Sequence, residues 1–576
     1  MSIHDPDRRR LLISTATLAA LPLAAAATAA QGSRTIEPQE GPEPNAWPDG
    51  PDDASITPAI IAAAERLAGI QFTEKERATI AKTVGEQMAI FAARVDAGAM
   101  PNELAPATVF RAMPPDRALD PATSTGNAGL VVADPGSLPD DDAAIAFSTV
   151  ADLCTWMRRG DLTSERLTRI YLDRIERIDP KLECMITVTG DRAIEQARRA
   201  DSERKQGRDR GPLHGIPYGA KDILDVADVR ATWGATPFKD RIGTTTATVI
   251  EKLDDAGAVM LGKTSVGALA YGDIWFGGRT NNPWNLKQGS SGSSAGSASG
   301  TVGGLMAFGL GTETLGSIVS PAMVCGATGL RPTFGRVSRA GAMSLCWSLD
   351  KIGPICRSVN DTALVLAAIN GLDTRDASSV GVPFAYDATQ GVKGLRVGWN
   401  PAWYEGANPA DRAALEHLRE AGCQLVEVDL PDLPYESLLV PLYAEAAAAF
   451  ESLTRSGDDD LMAWQSRQAW PNTFRRSWFI PAIEAVQADR VRRQVMDAMA
   501  RIMDTVDALA TPAFAANLLL ITNATGHPTL VQPIVFDEGR PHGFTLIGRL
   551  FDEGTICRLG RELERRCDVA KLHPTL

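Results

Sequence analysis

Apolar residues first recur at helical spacing between residues 57 and 96. Thr57 followed by Pro58 offers an N-cap and a first-turn proline ahead of "AIIAAAERLAG". Thr73 and Glu76 offer a capping box at the start of "EKERATIAKTVGEQMAIFAARVDAG". Ile80, Val84, Met88, Phe91 and Val95 then stripe one face. Two helices are predicted over a helical element spanning 53–111. Such a pair cannot bury a core alone and must pack on the rest of the chain. Residues 112–144 are rich in Pro, Asp and Gly and read as an extended connector. From Ile145 the pattern changes. "TSERLTRIYLDRIERIDP" predicts an amphipathic helix stopped by Pro180, with Leu167, Ile170, Tyr171, Ile175 and Ile178 on its buried side. Short apolar runs such as "AVML" (258–261) alternate with helices, which is an α/β pattern. Residues 401–500 are alanine-rich and expected to be mostly helical, and 505–556 return to short apolar runs. No internal repeat is found.

Composition narrows the function classes. The 576 residues are 44% hydrophobic and 22% charged, with a net charge of −13. No long Lys/Arg block follows residue 30, so the electrostatic footprint of a nucleic-acid binder is missing. The first thirty residues hold Arg8, Arg9 and Arg10, then an apolar run, then Ala27-Thr28-Ala29. That order resembles a twin-arginine export signal with a cleavage site, and residues 31–52 read as a disordered tether. The mature protein is expected to be soluble, in the periplasm or secreted, with no stable membrane insertion. Eight cysteines show no CxxC pair and no zinc spacing with a histidine, and several sit in apolar runs as small buried hydrophobes. Spacing does not say whether any pair forms a disulfide.

Two motif matches fail on context. "GAVMLGKT" (257–264) fits the phosphate-loop pattern, but its middle residues Ala-Val-Met-Leu want a buried strand, and a helix rather than a strand precedes it. "GSSAG" (292–296) fits a nucleophile elbow, but "NNPWNLKQGSS" before it is no strand. A histidine triad would draw on His417, His527, His542 or His573, of which His527 and His542 lie in turn-like settings that leave them open.

Three blocks remain: "GPLHGIPYGAKDILD" with Lys221, "GSSGSSAGSASG" with its serine cluster, and "FGLGTETLGSIVSPAMVCGATGLRPTFGRVS" with Ser317. Together with "SLDKIGPICRSVNDTA" and the tail run "FTLIGRLFDEGTI", they resemble the amidase signature family of serine hydrolases from about Ile145 to Asn400. The resemblance implies an α/β fold in which a mixed central sheet carries helices on both faces, an amidase domain over 145–576 with a variable region at 401–500, and no cofactor. It implies Lys221 as base and Ser317 as nucleophile. In the family the bridging serine precedes the nucleophile by about two dozen residues, which points to Ser293, typically after a cis peptide bond, here Gly292-Ser293.

The residue types suit that chemistry. A serine hydroxyl attacks only if its proton is taken. A lysine can take it when neutral, which requires desolvation or nearby positive charge. Asp222 would oppose this unless it faces away, as strand alternation predicts. The hydroxyl of Ser293 can donate and accept at once. Thr314, Leu315 and Gly316 can offer backbone N–H groups as an oxyanion hole. Leu315 stands where the family commonly has glycine, and positive φ there would be costly. His214, Arg331 and Arg336 are expected to support the fold, and Glu313 to orient.

The expectation is an exported amidase that hydrolyses a small-molecule or peptide amide through an acyl-enzyme on Ser317, with a homodimer as the one assembly entertained. One rival is a glutamine-dependent transamidation subunit, since 55–110 weakly looks like the small helical subunit of tRNA amidotransferases; the export signal argues against it. The other rival is a catalytically idle binding protein, which Leu315 would allow. Trp464, Trp470 and Trp478 in the variable region carry no assigned role, and the substrate is not legible.

Overall fold

The computed structural model describes residues 56–96, 98, 100–114, 117, 134–569 and 572–576. The expected signal and tether lie outside them, as does most of the connector. Eleven strands form one sheet: β1 (Met185–Val188), β2 (Pro217–Lys221), β3 (Val259–Thr264), β4 (Phe308–Glu313), β5 (Thr328–Arg331), β6 (Lys351–Cys356), β7 (Arg396–Trp399), β8 (Gln424–Glu427), β9 (Ala508–Pro512), β10 (Thr529–Asp537) and β11 (Arg540–Gly548). Their order across the sheet is β1-β3-β2-β4-β6-β5-β10-β11-β9-β7-β8. β2 runs parallel to β3 and β4, and β7 runs parallel to β8 and β9. The remaining neighbours are antiparallel, which makes the sheet mixed, as expected.

The helices that matter for the site and its supports are α1 (Pro58–Ala68), α2 (Glu74–Asp96), α3 (Ser164–Leu182), α4 (Ala295–Val302), α5 (Val319–Cys325), α6 (Leu439–Ala449), α7 (Ala482–Thr505) and α8 (Glu553–Cys567). Strand alternation shows that both faces are covered. Val531 packs in one cluster with Val319, Ala322 and Cys325 of α5. Its neighbour Gln532 points the other way and donates from Nε2 to Gly560 O of α8 at 3.0 Å. The main core joins α3, the strands and the variable region.

Several sequence expectations meet small differences. α3 does not stop at Pro180 but runs through it to Leu182, because a proline near the last turn gives up only one hydrogen bond. The 401–500 stretch, expected to be mostly helical, also supplies β8 at the sheet edge. Thr57 caps α1, and the Thr73–Glu76 box is formed in both directions, at 2.6 and 3.3 Å. The stripe on α2 is only partly used: Met88 and Phe91 are 45% and 54% exposed. All eight cysteines are unpaired, seven of them buried and Cys567 half-buried. Among the described residues no helix is long and apolar enough to cross a membrane.

Candidate active site

β2 is buried along its whole length and ends at Lys221. The Lys221 Nζ lies 2.8 Å from Ser293 Oγ, 3.0 Å from Ser294 Oγ, 2.8 Å from Thr312 Oγ1 and 3.2 Å from Thr312 O. All four neighbours are uncharged oxygens. Burial pulls this amine well below the ordinary lysine value, and the fields of Asp350 and Glu313 only partly oppose it. Asp222 does face away. Its Oδ2 accepts from Thr232 N at 2.8 Å and from Thr232 Oγ1 at 2.5 Å, and its Oδ1 pairs with Lys263 at 3.3 Å. Lys263 is the lysine of "GAVMLGKT". That stretch forms β3, and its lysine is the buried counterion of Asp222 rather than a phosphate ligand.

The serine-rich stretch is no linker. It turns into α4, which lies against β4 because that strand has glycines at the contact. A Cβ at Gly309 would stand 2.8 Å from Ser297, and one at Gly311 2.8 Å from Ser294 Oγ. The Gly292–Ser293 peptide bond is cis. Five of the six serine hydroxyls have structural partners. Ser290 bonds Ser291 O, Ser291 bonds Ser320 Oγ, Ser297 bonds Leu310 O, and Ser299 bonds Asn281 O. Ser294 Oγ donates to Thr312 O and accepts from Thr312 N, both at 3.0 Å. Ser293 alone has Lys221 as its only hydrogen-bond partner among the described residues.

Ser317 lies beside this pair. Its carbonyl accepts from Ser294 N at 3.1 Å. It is 7% exposed, and its hydroxyl makes no hydrogen bond among the described residues. It ends the turn Thr314–Ser317 between β4 and α5. The positive φ falls on Gly316, at +85°, and not on Leu315, so the leucine is accommodated without strain and packs half-buried against the core. Glu313 holds the far side of the turn. Its Oε2 accepts from Ile318 N (2.8 Å) and Val319 N (2.9 Å), and its Oε1 accepts from Arg331 Nη1 (2.6 Å) and Asn523 Nδ2 (2.8 Å). Burial pushes this carboxyl up, but Arg331 and these donors outweigh it and hold it at about 2. The N–H groups of Thr314, Leu315, Gly316 and Ser317, by contrast, have no acceptor among the described residues. A run of unpaired backbone donors beside an unpaired hydroxyl can receive an oxyanion.

Arg331 also donates to His527 O and Thr529 Oγ1, and Arg336 to Glu553, Phe551 O and Asn370, so both arginines brace the fold. His214 is buried beside Glu203 and Asp209, and burial lowers its pKa. His527 bonds Thr525 Oγ1, and burial with Arg331 nearby brings it down to about 3. His542 pairs with Asp411. None of the three touches the serines.

Sequence reasoning missed three partners. Thr312 and Ser294 complete the shell around Lys221; the polar pair Thr312-Glu313 that ends the apolar run of β4 was the available signal. Asp350 accepts from Thr314 Oγ1 at 2.6 Å, and nothing local in "SLDKIG" pointed to that. Of the variable-region tryptophans, Trp464 stacks on Tyr271 with centroids 5.1 Å apart, Trp470 donates to Leu269 O at 2.9 Å, and Trp478 lies 47% exposed under Arg455.

Comparison with known proteins gives the family. The Amidase family matches residues 166–557. A glutamyl-tRNA(Gln) amidotransferase subunit from Roseiflexus castenholzii is 35% identical over 471 residues, covering 73% of this chain and 96% of the relative. The peptide amidase of Stenotrophomonas maltophilia superposes with a TM-score of 0.66 at 31% identity, covering 74% of this chain and 98% of that one. A bacterial aryl acylamidase of the same family shares the fold, with a TM-score of 0.66 at 23% identity. With a lysine and two serines converging on a turn of free backbone donors inside the matched region, the chain belongs to the amidase signature family and is an amidohydrolase of carboxylic C–N bonds.

Proposed function

We propose that Ser317 attacks the amide carbonyl, that Ser293 relays its proton to neutral Lys221, and that the amine leaves from an acyl-enzyme which water then hydrolyses. The observation that carries this reading is the 2.8 Å contact between Lys221 Nζ and Ser293 Oγ in a buried, uncharged shell. A neutral amine has two N–H bonds and one lone pair. Ser294 commits its own proton to Thr312 O, so its oxygen can only accept from the lysine. The N–H bonds are thereby spent on Ser294 and Thr312, and the lone pair is left for the Ser293 hydroxyl. Ser293 can then take the proton of Ser317 as it passes its own on, and the order reverses when the leaving amine needs a proton. The N–H groups of Leu315, Gly316 and Ser317 would receive the oxyanion. Esters pass through the same tetrahedral state and are expected to react too.

A fluorophosphonate probe tests the nucleophile. Labelling of the intact chain that disappears in Ser317→Ala supports the reading, and an unlabelled intact chain refutes it and favours the idle binding protein. A panel of amino-acid amides, aryl amides and fatty amides then assigns the substrate. Export through the Arg8–Arg10 segment belongs to the same proposal. Fractionation of cells expressing the full chain should place it outside the cytoplasm, and lysine at Arg9 and Arg10 should retain it.

A second reading, a transamidation subunit, is favoured by the first curated relatives, which are glutamyl-tRNA(Gln) amidotransferase subunits. Glutaminase activity that appears only with the tRNA machinery present would support it over the free amidase.

A further inference from the structure

The matched family region begins at residue 166, yet the turn that carries Ser317 leans on residues far upstream of it. Thr314 opens the turn, and its hydroxyl donates to Asp350 Oδ1 at 2.6 Å. Asp350 Oδ2 accepts from Leu345 N (2.8 Å) and Cys346 N (3.0 Å), folding the 344–350 loop around its carboxylate. The loop is clamped at its outer end by Asn102. The Asn102 Oδ1 accepts from Ser344 N at 2.7 Å, and its Nδ2 donates to Ser344 O at 2.9 Å and Ala449 O at 3.3 Å. The Asn102 carbonyl also accepts from Trp347 Nε1 at 3.2 Å. A two-way carboxamide–backbone pair fixes both position and orientation, as a strand pairing does, and the neighbouring indole bond keeps it from sliding.

The loop's middle is held from the variable region. Ser348 N and Oγ donate to Glu445 of α6, at 2.9 and 2.6 Å, and Arg492 of α7 donates to Ser348 O and Oγ. The ring of Phe110, on the same upstream segment as Asn102, lies 3.4 Å below the Arg492 guanidinium. Ser344, Leu345, Asp350 and Lys351 also line a small cavity together with Thr312 and Thr314. The loop therefore forms one wall beside the lysine shell and the foot of the nucleophile turn.

We propose that Asn102 is a positioning residue for amide hydrolysis. Through the 344–350 loop and Asp350 it fixes Thr314, and with it the N–H groups of Leu315, Gly316 and Ser317. The upstream segment is thus a working part of the oxyanion site. The proposal rests on the reading of Ser317 as nucleophile, and the test separates the two.

In the full chain, the rate of fluorophosphonate labelling of Ser317 and the hydrolysis of 4-nitrophenyl acetate are measured for wild type, Asn102→Ala, Thr314→Val and the double variant. Asn102→Ala should lower kcat and the labelling rate about tenfold, since small misplacements of a preorganised site are costly. KM should stay within about twofold, because a transition-state interaction is lost and not a ground-state one. In the Thr314→Val background the same change should have under about a twofold effect, because the route is already cut. Wild-type labelling and kcat in Asn102→Ala, or an equal loss in both backgrounds, overturns the proposal while leaving the nucleophile in place. A wild type that is not labelled at all overturns both. Should Asn102→Ala fail to fold, Asn102→Asp, which keeps the acceptor for Ser344 N–H but loses the donor, carries the same comparison.

Discussion

A lysine can act as a base only after it has lost its proton, and burial among uncharged oxygens lowers the pKa of Lys221 with no positive neighbour in contact among the described residues. In the proposed relay protonated Lys221 is inactive, and burial draws its pKa well below 10.5, so kcat/KM should rise with pH along a limb centred well below that value. A pH–rate profile with a limb near 10.5 would contradict the assignment. Ser293→Ala should lower kcat by about 10²–10⁴, the usual worth of a positioned proton-transfer group. Ser294→Ala should cost less, because Thr312 keeps two oxygens on the amine. Glu313 plays the opposite electrostatic part. Its carboxyl is held at about 2 against an ordinary 4.5, so its stabilisation is present above 4.5 and fades as pH falls toward 2. Glu313→Gln strands the Arg331 charge in the interior and should cost about 3–5 kcal/mol in a urea melt.

The turn between β4 and α5 decides how the donors point. Its left-handed residue is Gly316, so the leucine at 315 carries no backbone penalty. Gly316→Ala should cost roughly 1–2 kcal/mol from φ alone and depress kcat as the N–H shifts. Leu315→Gly should bring no gain in kcat, although sequence reasoning put the strain there. Differential scanning calorimetry and initial rates on the two variants separate these outcomes. Helix caps, the α/β alternation and the strand nature of "AVML" were legible because each is written in residues adjacent along the chain. The placement of Lys221, Ser293 and Ser317 in one small region was legible only through the resemblance of ordered blocks. The Asp222–Lys263 pair and the Thr314–Asp350 bond were not, because each joins residues 41 or 36 positions apart whose meeting depends on sheet order. The run of α3 through Pro180 shows a propensity overridden by the packing of Ile178 and Leu182 in the core.

Across the whole molecule, two of the contacts between the upstream segment and the domain are unequal. Arg94 and Glu451 form an exposed two-bond pair at 2.5 and 2.9 Å, whereas Asn102 enters a half-buried loop. Exposed pairs are screened and entropically costly, so Arg94→Ala should leave the melting temperature unchanged while Asn102→Ala alters turnover. The eight unpaired cysteines have a further consequence. Burial raises every one of their pKa values and so suppresses the reactive thiolate. In the native state a disulfide-exchange dye should find Cys567 quickly and the other seven only when the molecule opens. Counting dye released over time would then time the breathing of the core from within, on the unmodified chain and without touching the serine chemistry.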